Sequence, residues 1–176
     1  VNDNVMINAQ VSQGFRLGGI NDPLNVPLCS PTDLTTFGGN DTWDDEKLTN
    51  YEVGAKSTLF GGAATLNVSA FYSDIKDLQA TVVAGSCSSR LVYNVPKAHS
   101  QGFELELFSR PLDNLEFGLS GSYVQAELDS EVTSTTGGVT SVVGGIRDGN
   151  ELPTAPGFQL AATATYYFPI VDAWEG

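Results

Sequence analysis

The chain has 176 residues, 16% of them charged, with 21 acidic against 8 basic side chains and a net charge of −13. That balance excludes a nucleic-acid surface, which needs a basic footprint. No apolar run approaches the roughly 18 residues of a transmembrane helix, but barrel strands alternate and never form such a run, so a membrane is not excluded. Taken in order, Val5 to Arg16 alternates, with Val5, Ile7, Ala9 and Val11 on one face and Asn8, Gln10, Ser12 and Arg16 on the other, which predicts a strand. Residues 17–48 read as a long loop rich in Gly, Pro, Asp and Asn, holding Cys29, Trp43 and the acidic run Asp44-Asp45-Glu46. Tyr51 to Leu78 reads as two alternating strands around Gly61-Gly62, since glycine supplies the positive φ of a tight hairpin turn. Tyr51, Val53, Ala55 and Leu59 oppose Glu52, Gly54 and Lys56, while Leu66, Val68, Ala70 and Tyr72 oppose Thr65, Asn67 and Ser69.

The second of these strands extends toward Val83, and residues 80–98 are then expected to form a long connection holding Cys87. Ser100 to Arg110 alternates again, with Phe103, Leu105 and Leu107 against Glu104, Glu106 and Phe108. Pro111 to Asn114 is a turn, Leu115 to Leu128 a strand, residues 129–157 a third long loop, and Phe158 to Phe168 a further strand. Pro169 to Asp172 is expected to turn, and no segment carries the helical period. The pattern is all-β, with about six strands joined alternately by short and long connections.

Alternation also suits a soluble sandwich. Three features favour a membrane barrel: strands of about 10–12 residues, aromatic residues near strand ends (Tyr51, Phe60, Tyr72, Tyr123, Tyr166, Phe168), and short turns on one rim with long loops on the other. On this reading Leu66, Val68, Leu105, Leu119 and Leu160 face lipid, and Glu52, Lys56, Glu104, Glu106, Glu116 and Gln159 face the lumen. Two loop cysteines and no others point to one disulfide, Cys29–Cys87, in an oxidising compartment.

Several stretches carry a resemblance. Tyr51-Glu52-x-Gly54-x-Lys56, a short turn, then Asn67-x-x-x-Phe71-Tyr72-x-x-x-x-Asp77-x-Gln79 resembles the barrel of TonB-dependent outer-membrane receptors. Gly14-Phe15-Arg16, Gly102-x-Glu104-x-Glu106 and Leu152-Pro153-x-x-Pro156 occur in the order that family shows. The resemblance implies a barrel of about 22 strands with a plugged lumen, of which residues 1–176 are expected to be part of the C-terminal half, with the plug domain, the TonB-contacting segment and the closing strands absent. No signal peptide is evident at Val1, consistent with a processed or partial chain. The function it implies is active uptake of a scarce ligand, most often a ferric siderophore, energised through TonB. The implied partners are outer-membrane lipid, the plug of the same receptor and TonB. A passive porin-type barrel and a soluble secreted β-sandwich binding module are the alternatives.

No enzyme is expected, and no cofactor or metal. His99 is the lone histidine and has no nucleophile pattern beside it, so neither a triad nor an outer-membrane lipase is supported. Two cysteines without a second histidine do not make a zinc site. The acidic run Asp41 to Glu46 lacks the spacing of a calcium loop. Asn40-Asp41-Thr42 and Asn67-Val68-Ser69 match the glycosylation triplet by accident in a bacterial barrel. The candidate ligand contacts in loops and lumen are Arg16, Trp43, Asp44, Asp45, Glu52, Lys56, Glu104 and Glu106.

Overall fold

Alternating segments too long for an ordinary soluble strand pair edge to edge, so that every backbone group between them is satisfied. A computed structural model describes residues 4–168, apart from 137 and 154. The strands are β1 (Val5–Arg16), β2 (Gly19–Ile20), β3 (Thr42–Trp43), β4 (Glu46–Leu59), β5 (Ala64–Val83), β6 (Arg90–Leu112), β7 (Leu115–Leu128), β8 (Thr133–Thr136), β9 (Val139–Val142) and β10 (Phe158–Tyr166). Six of them form one antiparallel sheet in the order β1-β4-β5-β6-β7-β10. β2 with β3, and β8 with β9, make small ribbons inside the long loops. The turn expected at 169–172 lies outside the described residues.

The turn rim is simple. Phe60, Gly61 and Gly62 all take positive φ (53°, 66° and 102°), and the two glycines do so without a Cβ penalty. At the next turn the ladder slips between Ser109 and Leu112, and Arg110 donates from Nη2 to the Asp113 carbonyl at 2.7 Å.

Register arranges the side chains in rows across the strands. One outward row is Ile7, Ala55, Val68, Leu105, Gly121, Leu160, and another is Ala9, Val53, Ala70, Phe103, Tyr123, Phe158. These residues are apolar yet bare: Ile7 is 60% exposed, Val53 52%, Phe103 55% and Leu160 63%. A continuous exposed apolar face of this extent is a surface for lipid. Tyr51 and Tyr72 pair directly at its upper edge, and Phe103 stacks on Tyr123 with centroids 5.7 Å apart. The intervening rows point the other way and are polar: Lys56, Asn67, Glu106 and Ser120 are successive cross-strand partners, as are Glu104, Ser122 and Gln159.

Residues 80–98 do not form the expected loop. β5 and β6 stay paired as far as Val83 and Arg90, leaving only 84–89 as the connection. They rise past their neighbours, since β4 pairs with β5 only as far as Lys76 and β7 with β6 only as far as Ala98. Asp77, at φ 54°, lies opposite Pro96 in the middle of this ladder. There the alternation of burial changes phase: Ser73 and Ile75 are buried below it, Val82 above it, with Leu78 and Ala80 partly so. The period-two rule assumes an uninterrupted strand, and one left-handed residue resets it.

The buried core sits above the apolar face, at this loop rim. Leu48, Ile75, Ala98 and Leu128 form one row on the polar side of the sheet. With Val82, Leu91 and Val95 they pack against Phe37, Val143 and Ile146 from the two long loops. Helix α1 (Pro31–Phe37), absent from the sequence reading, forms in the first loop. Seven residues are too few to display a helical period, but the cap is legible: Ser30 Oγ accepts from Asp33 N at 3.1 Å and Pro31 opens the helix.

Candidate functional site

Two polar surfaces meet at the loop rim: the inward face of the sheet, and a platform of loops folded over its upper end. The platform is held by three devices. Its covalent device is the bond between Cys29, just before α1, and Cys87, which is fully buried in the 84–89 turn. Beside it, Asp33 on α1 accepts from Ser86 N at 3.0 Å and Ser86 Oγ at 2.5 Å, while Ser30 N donates to Ser86 Oγ at 2.7 Å. Those hydrogen bonds, the Ser86 hydroxyl foremost, hold the Asp33 carboxyl below its ordinary value.

The second device is side-chain amides that substitute for missing strands. Where β6 rises beyond β7, Asn21 treats Val92 as a ladder partner: its Oδ1 accepts from Val92 N at 2.8 Å and its Nδ2 donates to Val92 O at 3.0 Å. Asn21 is buried, so both bonds are sheltered from water. Asn94 returns the contact, accepting from Asp44 N at 2.7 Å and donating to the carbonyls of Asp44 and Asp77 at 3.0 and 2.8 Å.

The third is a knot around Gln79. Its backbone N–H donates to Glu46 Oε2 at 2.7 Å, and its Nε2 reaches the carbonyls of Arg16, Leu17 and Asp44 at 3.2, 2.9 and 3.1 Å. Arg16 pairs with the same Glu46 carboxylate and also donates to Gln79 O. Asp77 and Gln79 of the quoted D-x-Q motif therefore have a physical role. Asp77 resets the strand, and Gln79 ties the first loop to it. The motif was visible in the sequence; its partners, scattered over residues 16–46, were not.

The candidate contacts divide accordingly. Arg16 and Asp45 are committed to the platform, Asp45 Oδ1 accepting from Gly18 N at 2.7 Å. Asp44 gives its backbone to Asn94 and keeps an exposed carboxylate. Trp43 lies on Gly19, where an added Cβ would come within 2.5 Å of the indole, and its Nε1 is enclosed without an acceptor. Glu52, Lys56, Glu104 and Glu106 gather on the inward face instead, where Asn67 Nδ2 donates to Glu106 Oε2 at 3.3 Å and Asn67 Oδ1 is enclosed without a partner. Among the described residues no ion pair includes any of these four. Three carboxylates and one ammonium are thus presented to whatever fills the lumen.

A sequence model described as TonB dependent receptor-like, beta-barrel matches residues 1–176. This chain belongs to the TonB-dependent receptor β-barrel family. Its sheet is accordingly a stretch of outer-membrane barrel wall, not closed on itself, from a family of receptors rather than enzymes. Three solved structures share the fold, each with a TM-score of 0.61. The ferric yersiniabactin uptake receptor FyuA from Yersinia pestis is 22% identical over 93% of this chain, which spans 21% of that protein. The siderophore receptor PiuA from Acinetobacter baumannii is 19% identical over 94% of this chain, which spans 22% of it. The pyoverdine receptor FpvA from Pseudomonas aeruginosa PAO1, solved with pyoverdine bound, is 15% identical over 96% of this chain, which spans 21% of it. The chain therefore covers about one fifth of the length of these three receptors. Membership in the family leaves no place for the soluble sandwich.

Proposed function

We propose that the receptor carrying this chain takes up a scarce ligand, a ferric siderophore, with energy delivered through TonB. The observation that carries the reading is the disulfide-tied platform over the inward face. Ligand capture at a barrel mouth needs loops held in one arrangement, because ordering them on binding would cost affinity. A buried core, a covalent tie and the Asn21, Asn94 and Gln79 clamps supply that order beforehand. The three solved siderophore receptors that share the fold support the ligand class. On this reading the plug of the same receptor packs against Glu52, Lys56, Glu104 and Glu106, with donors complementing the three carboxylates. Asp44 and the platform surface contribute to ligand contact from above.

The test is uptake of labelled ferric siderophore by cells whose only siderophore receptor is the intact protein, with TonB present or deleted. Uptake is expected only with both receptor and TonB. Uptake that survives TonB loss, or free passage of small sugars, would move the assignment to a passive porin-type barrel.

A further inference from the structure

Three of the eight basic residues of this acidic chain stand side by side. Lys47 on β4 is the direct cross-strand partner of Lys76 on β5, and Lys76 of Lys97 on β6. All three are exposed, and none forms an ion pair among the described residues. Phe15 on β1 completes the row as the partner of Lys47 and is 74% exposed. The next row faces the other way and is the platform floor of Leu48, Ile75, Ala98 and Leu128. The lysines therefore point out of the barrel wall, on the lipid side.

Their height follows from the register. Lys47 lies four residues beyond Tyr51, and Lys76 four beyond Tyr72, at the upper edge of the apolar face. Four residues advance about 13 Å along a strand, or about 10 Å along the membrane normal at the usual barrel tilt. Aromatic rings of such an edge sit at the headgroup level, so the backbone of the row stands just above it and the flexible lysine stems reach down to the headgroup phosphates.

Like charges directly opposite one another across a ladder are unfavourable. Acids do face the row: Asp45 and Asp74 line the hollow that Phe15, Lys47 and Lys76 share. One row below, Asp74, His99 and Glu127 are successive partners. Asp129, next to Lys97, is taken by His99 Nδ1 at 2.8 Å. Among the described residues none of these acids forms an ion pair with a lysine, so each ammonium keeps its donors open for an anion from outside the wall.

We infer that Lys47, Lys76 and Lys97 bind a phosphorylated lipid headgroup of the outer leaflet, the anion relieving their mutual repulsion while Phe15 and the Tyr51/Tyr72 edge accept the apolar part. The inference rests on the barrel lying in the outer membrane with its loop rim outward. Labelling of that rim in intact cells tests this premise separately from lipid binding.

The experiment titrates the intact receptor, in neutral detergent, with bisphosphorylated lipid A, with its dephosphorylated counterpart and with inorganic phosphate. Each surface lysine contributes about fivefold to binding of an anionic surface, so K76Q should weaken the phosphorylated lipid about fivefold and K47Q/K76Q/K97Q on the order of a hundredfold. R147Q, which removes an exposed positive charge in the 129–157 loop, should change nothing. The dephosphorylated lipid should bind wild type and triple variant alike. Heat-modifiable migration reports that each barrel is folded, and K76Q alone carries the comparison if the triple variant does not assemble. Equal affinity of wild type and K76Q for the phosphorylated lipid overturns the inference. So does a loss in R147Q matching that in K76Q. Saturation by inorganic phosphate at the same concentration also overturns it, giving the row to a free anion.

Discussion

Removing the Cys29–Cys87 bond with the double variant C29A/C87A should loosen the platform and leave the wall intact. The bond joins residues 58 apart in sequence, and against a fully unfolded chain the loop-closure model assigns it about 4 kcal/mol. That reference does not apply while the barrel persists. Arg16 is held in β1 and Cys87 in the turn between β5 and β6, so the chain set free runs only from Arg16 to Cys29. A segment of that length corresponds to about 3 kcal/mol, or about a hundredfold in the local opening equilibrium. Hydrogen exchange reads this opening residue by residue. Three amides report on the platform: Asn21, which donates to Asp41 O, Leu34 to Ser30 O and Gly38 to Leu34 O. They should exchange about a hundredfold faster in the variant, within the range of local opening energies. Amides of β4 between Tyr51 and Leu59, held in the ladder with β1 and β5, should not change. Unchanged exchange across 17–45 would refute the reasoning, because the clamps alone would then hold the loop. Equal acceleration in β4 would refute it too, because platform and wall would then unfold as one unit.

Leu119→Arg should destabilise the barrel by about 2–4 kcal/mol if Leu119 lies near the midplane, and Ser120→Arg by less, since adjacent residues face lipid and lumen; equal shifts in urea midpoint would remove the two-face assignment. A cysteine at Thr135, in the β8–β9 ribbon, should label in intact cells, and one at Asp113, in the short turn, should not; the reverse would invert the sidedness. Asp33 is held below its ordinary value of 3.8 by Ser86 and Ser30. Its stabilisation is therefore complete above that value and lost as pH falls through the depressed one. Proteolysis of the 84–89 turn should accelerate below about pH 4 in wild type but not in D33N, and equal acid sensitivity would show that other groups govern the platform.

The wall was legible because its physics is local. Alternation in 5–16, 51–59, 64–73, 100–110, 115–128 and 158–166 assigns each side chain a face without knowledge of the partner strand, and Gly61-Gly62 marks a turn by backbone freedom alone. Glu52, Lys56, Glu104 and Glu106 were placed on the inward face by the same rule. What the tertiary structure decided depends on groups distant in sequence. Residues 80–98 read as a connection because the left-handed residue Asp77 shifts the phase of alternation just before them, and only the pairing of Val83 with Arg90 and Leu78 with Val95 shows one continuous ladder. Asn21 and Asn94 carry no pattern of their own, and Gln79 belongs to a motif that does not name its partners; their bonds to Val92, Leu17 and Asp44 exist because β5 and β6 outrun their neighbours and leave unpaired backbone to satisfy. The lysine row has the same origin. Lys47, Lys76 and Lys97 are unremarkable in one dimension, and become a single charged edge only when antiparallel register sets three distant positions side by side across adjacent strands.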